Sequence, residues 1–285
     1  MEVKGKRYIE YSGRAEIFKI SNLSDLHYGN KACALDQIKS DIQKIKNDPN
    51  HFWLGGGDYA DYIGLTDIRF DPDVVADVIK VSDLGKLGKK LTEEVRDLLY
   101  PIKHKCLGLL FGNHEKRYQR WQEQSYLHAW LCEELGVLNL GYSAMFDVVF
   151  MRRGDVKKPR LVNKFRDGCS AKSFRFFVHH GAGFATTPAG KLTRLIRFMT
   201  YFDADIYMVG HVHDQEGRRQ IQIGANSTCT KLVEKKRLGL ISGSYLKTYK
   251  TGVVTYGEQK GYEPTVLGMA TVTIRPETRE FWGRI

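Results

Sequence analysis

Apolar positions in this chain fall into short runs that stop abruptly at polar residues. Residues 15 to 24, Ala-Glu-Ile-Phe-Lys-Ile-Ser-Asn-Leu-Ser, are rich in β-branched and aromatic side chains and predict a strand ending where Asp25 begins. Leu35, Ile38, Ile42 and Ile45 then recur at helical spacing, with Pro49 just beyond the end of that helix. His51 to Leu54 predicts a second, buried strand, closed by Gly55-Gly56-Gly57 and leaving Asp58 at its carboxyl end. Cys106 to Phe111 repeats the design and runs into Gly112-Asn113-His114, after which one long helix is predicted from about Glu115 to Leu135. Phe174 to Val178 delivers His179 and His180, and Asp205 to Val209 delivers His211 and His213. After His213 the pattern turns β-rich, through Gln220 to Ile223, Gly239 to Leu246 and Leu267 to Ile274.

Polar clusters beyond the carboxyl ends of apolar strands are the mark of an open α/β sheet, where ligands gather at that edge. Residues 62 to 100 read as mostly helical and charged, an excursion between two clusters. With no internal repeat, low-complexity tract or Pro/Gly/Ser linker, the 285 residues read as a single domain, 1–285, with a helical cap-like excursion at about 62–100.

The clusters are Asp25-Leu-His27, Gly57-Asp58, Gly112-Asn113-His114-Glu115, His179-His180-Gly181 and Gly210-His211-Val-His213, and they hold six of the nine histidines. Each alone is weak: Asp-x-His arises by chance, Gly-Asp after a strand is usually a turn, and Gly-Asn-His can be a tight turn. Gly-His-x-His is stronger, because alternate residues of an extended chain share a face. Together they offer imidazoles, two Asp carboxylates and one Asn amide oxygen, a ligand set for two divalent metals. His51, His104 and His128 lie outside the motifs and read as ordinary core or surface groups. Gly85-Lys-Leu-Gly88-Lys-Lys lacks the spacing and terminal Ser or Thr of a phosphate loop.

The ordered set, from about Ala15 to Asp214, resembles the calcineurin-like metallophosphoesterase superfamily, including phage and bacterial members. That resemblance implies an α/β, four-layer sandwich of two mixed β-sheets flanked by helices. It implies one metal held by Asp25, His27 and His213, another by Asn113, His180 and His211, and Asp58 between them. His180 is preferred over His179 because the family ligand often stands directly before Gly; adjacent strand residues face opposite ways, so one of the two is excluded. His114 is implied as a proton donor near the leaving oxygen, with Asp61 orienting it and raising its pKa. Glu115 is expected to brace the loop, and Asp205 to hold a ligand imidazole through its second nitrogen. The implied cofactors are two divalent ions, Mn first, with Fe, Zn or Ni as alternatives, sharing a hydroxide that attacks phosphorus.

The family spans monoesterases, diesterases and nucleases, and fold does not choose among them. Members that dephosphorylate proteins carry Arg where this chain has Tyr62 and Phe111, so bidentate clamping of a dianionic monoester is missing. Of the +11 net charge, residues 151–175 and 217–260 each carry +7, which suggests an anionic partner such as nucleic acid. Tyr245 and Tyr249 alternating with Lys247 and Lys250 suit stacked bases and backbone phosphates. The reading is a metal-dependent phosphodiesterase or nuclease on nucleic acid or nucleotide derivatives. A phosphomonoesterase on a small substrate and a non-catalytic metal-binding interaction module are the alternatives. Five scattered cysteines, no apolar leader and no membrane-length run predict a reduced, cytoplasmic protein without membrane contact, its oligomeric state left open.

Overall fold

A computed structural model describes residues 1–64, 67, 70–122, 126–183, 185 and 187–284. Its first sheet contains β1 (Glu2–Tyr11), β6 (Ser143–Arg152), β7 (Arg160–Val162), β8 (Ser170–His179), β9 (Ile206–Val209), β10 (Glu216–Ala225) and β11 (Leu232–Ile241), in the order β10-β11-β9-β8-β6-β1-β7. The second contains β2 (Phe18–Leu23), β3 (His51–Gly55), β4 (Cys106–Leu110), β5 (Asn139–Gly141), β12 (Ala270–Arg275) and β13 (Glu280–Arg284), in the order β13-β12-β2-β3-β4-β5. Both are mixed: β2, β3, β4 and β5 run parallel while β12 is antiparallel to β2, and β8 is parallel to β9 but antiparallel to β6.

The period of two in the strands sets the layers. Phe18, Ile20, Phe52, Leu54, Phe174, Phe176 and Val178 fill the space between the sheets. Trp53 points the other way, toward Ile38, Ile42 and Ile45 of α1 (Leu35–Asn47), Val95 and Leu99 of α2 (Leu87–Leu99) and Leu131 and Leu135 of α4 (Leu127–Leu135). Phe177 and Tyr207 meet Leu195 and Met199 of α5 (Pro188–Tyr201) on the far side of the first sheet. Helix, sheet, sheet and helix are thus the four layers that the resemblance implies. Among the described residues no helix is long and apolar enough to cross a membrane.

Two elements differ from expectation. The single helix over 115–135 is two, α3 (Asn113–Gln122) and α4, and both pack on α2: Tyr118 accepts from Gly88 N–H and Leu127 lies beside the same glycine. Residues 123–125 fall outside the described set. The excursion over 62–100 is α-helical only in its last third; before α2 the described residues form loops and short 3-10 turns at Pro72–Val74 and Val81–Lys86.

Candidate metal centre

The turns that follow β2, β3, β4, β8 and β9 meet at one end of the two sheets. Backbone hydrogen bonds lock them together: Asp25 N–H donates to Gly57 O at 2.9 Å, His27 N–H to Asp58 O at 3.1 Å and Gly210 N–H to His180 O at 2.9 Å. Asp25, His27, Asp58, His211 and His213 all have positive φ, between 47° and 73°. Non-glycine residues seldom adopt that region, and such strain collects where a site over-determines the backbone. Gly112 leaves no room for a side chain, since a Cβ there would stand 2.0 Å from Asp58 Oδ1.

Donor atoms of Asp25, Asp58, His180 and His211 lie within 4.8 Å of one another, as do those of Asp25, His27 and His213 and those of His27, Asp58 and His114. Asn113 joins the first group, its Oδ1 2.9 Å from His180 Nε2. All seven residues expected as ligands therefore converge, with Asp25 common to two groups. His180 is fully buried and belongs to this cluster, whereas His179 faces α5, its ring centroid 4.7 Å from that of Phe198 and its Nδ1 accepting from Gly181 N–H. The parity of β8 decides between them: Phe176, Val178 and His180 continue one face, Phe177 and His179 the other.

The arrangement fits cations. His180 Nδ1 donates to Gly56 O at 2.7 Å, so its Nε2 presents a lone pair toward Asn113 Oδ1 and, at 3.4 Å, Asp58 Oδ2. His27 Nδ1 donates to Asp61 Oδ1 at 3.2 Å, leaving its Nε2 lone pair 3.2 Å from His213 Nε2. Asp25 Oδ1 is buried and makes no hydrogen bond among the described residues, with His213 Nε2 3.4 Å away. Acceptors turned on one another in a buried space are held together only by a proton or a metal. The electrostatics agree: burial disfavours the charged form of His180, yet Asp58 and Asp25 draw a proton onto it up to about 10. Burial likewise opposes ionisation of Asp25, but His213 and His180 hold its carboxyl down at about 2.

Glu115 closes the floor. Its carboxylate accepts from the amides of Asp58 (3.0 Å), Tyr59 (2.7 Å) and Gly112 (2.7 Å), while burial and the charge of Asp58 push it up to about 7. Asp61 reaches both imidazoles. Its carboxylate accepts from His27 and from Asn30 Nδ2, at 3.0 Å, and stands 3.7 Å from His114 Nδ1, which donates to the Asp61 backbone carbonyl. Among the described residues Asp205 holds no imidazole: its carboxylate accepts from Arg175 N–H at 2.8 Å, at the start of β9 and so away from the cluster.

Sequence reasoning missed the groups that fix these side chains. Ser24 Oγ bonds Asp25 Oδ2, and Tyr142 packs beside His180 with its hydroxyl on Gly181 O at 2.9 Å. The Gly56 and Gly183 carbonyls, 2.7 Å from His180 and 3.1 Å from His211, carry no side-chain signal at all.

The basic segments are placed unevenly. Register along β1, β6 and β8 puts Arg152, Arg153 and Arg160 at the end of the sheet opposite the cluster, where Arg153, Arg160 and Arg166 surround buried Glu10. Residues 244–250 return to the site: Ser244 Oγ donates to Asp25 O and Lys247 N–H to Ala32 O. Lys247, Tyr249 and Lys250 are exposed there, but Tyr245 is wholly buried with its hydroxyl on Asp41, so it offers no stacking face. Tyr62 is buried too, its hydroxyl 2.9 Å from Thr92 Oγ1.

Among solved structures, similar chains include a conserved uncharacterized protein from Streptococcus pneumoniae TIGR4 described as a predicted phosphoesterase, with 10% identity, TM-score 0.33 and coverage of 94% of this chain and 99% of that one. A Vps29 double mutant from Entamoeba histolytica gives 11% identity, TM-score 0.39 and coverage of 94% and 98%. GAP50, the anchor in the inner membrane complex of Plasmodium, gives 13%, 0.44 and coverage of 90% and 81%. A search of curated protein sequences finds no match. The family model for calcineurin-like phosphoesterases matches residues 18–215, which span the converging turns from the strand before Asp25 to just past His213, and the chain belongs to that family.

Proposed function

We propose that the chain is a metal-dependent phosphodiesterase acting on nucleic acid or nucleotide derivatives. The observation that carries the metal-dependent part is the convergence of histidine lone pairs and the Asn113 oxygen on the buried carboxylates of Asp25 and Asp58. In this reading Asp25, His27 and His213 hold one divalent ion, Asn113, His180 and His211 hold the other, and Asp58 lies between them. When bound, such a pair withdraws charge from phosphoryl oxygens and lowers the pKa of water.

The protein's own groups do the rest. The Glu115 carboxylate, tied to three backbone amides, fixes the turns that present Asp58 and Asn113. Because its Nδ1 donates to the Asp61 carbonyl, a protonated His114 has Nε2 as the nitrogen that passes a proton to the departing oxygen.

The diester reading is supported by what stands at positions 62 and 111. Tyr62 is buried against Thr92, and Phe111 lies with His128 and Tyr142, so neither supplies a cation for a dianion. Exposed Lys247, Tyr249 and Lys250 follow Ser244 and Tyr245, which bond to the Asp25 carbonyl, and suit a flanking phosphate and a base, though Lys250 Nζ donates to Lys31 O and the Tyr249 hydroxyl to Tyr262 O. The test is a panel with the Mn-loaded protein: bis-p-nitrophenyl phosphate, p-nitrophenyl phosphate, and labelled single- and double-stranded DNA. Diester turnover above monoester turnover is expected. Preference for the monoester without DNA binding at low salt would favour a small-substrate phosphomonoesterase instead.

A further inference from the structure

β11 pairs with β9 only over Leu238–Ile241, while it pairs with β10 along its whole length. Residues 232–237 of β11 and their β10 partners 220–225 therefore form a two-stranded ribbon that runs past the sheet for roughly 20 Å, at about 3.4 Å per residue. Ile241 lies at the metal-centre end, so the ribbon extends away from the site. It exposes apolar side chains: Ile221 is 57% exposed, Ile223 64% and Leu232 82%. A bare two-stranded ribbon is marginal in water, and this one has little else covering it.

β10 is also the edge of its sheet, with β11 as its one strand neighbour among the described residues. Edge strands normally avoid further pairing through charge, proline or bulges. Residues 220–225, Gln-Ile-Gln-Ile-Gly-Ala, carry no charge and no proline, and the pairing of β10 with β11 is continuous.

We propose that β10 pairs antiparallel with β10 of a second copy of this chain, about a two-fold axis at Gln222. In that register no like charges stand opposite each other across the joint, Arg219 meeting Ala225 and Arg218 meeting Asn226 of the second copy. Ile221 stands opposite Ile223 of the second copy, and Gln222 meets its own counterpart. Since Lys236 partners Ile221 and Glu234 partners Ile223 within each hairpin, every such row runs from Lys236 of one copy to Glu234 of the other. Arg218 and Arg219 of the two copies fall at opposite ends of the joint. Nucleic acid fits the ribbon less well, because Lys235 and Arg237 are both engaged by Asp203. The joint is isologous, as a two-fold dimer requires, and leaves the metal centre open.

Sedimentation equilibrium on the intact chain is expected to give twice the chain mass. Ile221→Lys/Ile223→Lys, which sets like charges across the joint, should give the chain mass with turnover on bis-p-nitrophenyl phosphate unchanged. Oxidised Gln222→Cys in a Cys229→Ser background should form a covalent dimer, whereas Cys229→Ser alone should not. A monomeric wild type, or a dimer that persists in the double variant, overturns the proposal. If the double variant does not fold, the cysteine pair decides: a cross-link supports the joint and its absence overturns it. A monomeric wild type that binds DNA through this ribbon would assign the surface to nucleic acid.

Discussion

The Asp61 carboxylate lies 3.2 Å from Nδ1 of His27 and 3.7 Å from Nδ1 of His114, so its charge is shared by the two imidazoles. A carboxylate behind an imidazole fixes its tautomer and raises the basicity of the other nitrogen, and losing one costs about 10- to 100-fold in metal affinity. Asp61→Asn should therefore weaken metal binding by roughly that factor, measured by competitive titration with a chelating dye. Unchanged affinity with only a shifted pH–rate profile would make Asp61 a partner to His114 alone.

For His114 the expected effect is the reverse. His114→Ala should leave metal content near wild type and lower diester turnover by about 10² or more. Loss of metal in elemental analysis would instead make His114 part of the donor group it forms with His27 and Asp58.

Glu115 accepts from three buried amides, two of them, Asp58 and Gly112, at Oε2. Glu115→Gln places an amide nitrogen against those donors if Oε1 stays on Tyr59. Stranding buried donors costs about 1–3 kcal/mol each, so a loss of roughly 2–5 kcal/mol is expected in urea unfolding. A variant as stable as wild type would show that the three amides find other acceptors.

Burial also sets a pH limit at two histidines outside the candidate ligand set. His51 and His128 are both held down at about 4, from an ordinary 6.5, because a charge there would lose its water. The unfolded chain takes up protons first as pH falls, so the full stability is present above about 6.5 and declines toward 4, by on the order of 3 kcal/mol per histidine. His128→Phe, in a pocket beside Tyr59 and Phe111, should flatten that decline in metal-free protein. An unaltered slope would mean that His128 is charged in the folded state.

Much of this site is legible in the sequence because its ligands sit at strand ends, and strand ends show as apolar runs broken by Asp, Asn or His. Asp25, Asp58, Asn113 and His211 are all of that kind. The choice between His179 and His180 is not legible, because both faces of β8 are apolar: Phe176 is buried between the sheets and Phe177 against α5. β1, β6, β7 and β13 escape notice for other reasons. β1 and β13 mix apolar with charged residues, as in Glu2–Tyr11, and β7 is three residues long, while the apolar run Val148–Met151 of β6 leads to no ligand cluster. Charge counts misled most. Residues 151–175 are strongly basic, but the direction of β6 carries them to the end of the sheet opposite the cluster, and strand direction is a property of the assembled sheet.

Metal stoichiometry bears most directly on the central claim. Chelator-treated protein titrated with Mn should bind about two ions per chain, the number a two-metal phosphoesterase centre requires. Asp58→Asn should weaken both positions together, since its carboxylate stands between the groups. One ion or none in the wild type, or two retained at wild-type affinity in Asp58→Asn, would contradict the account.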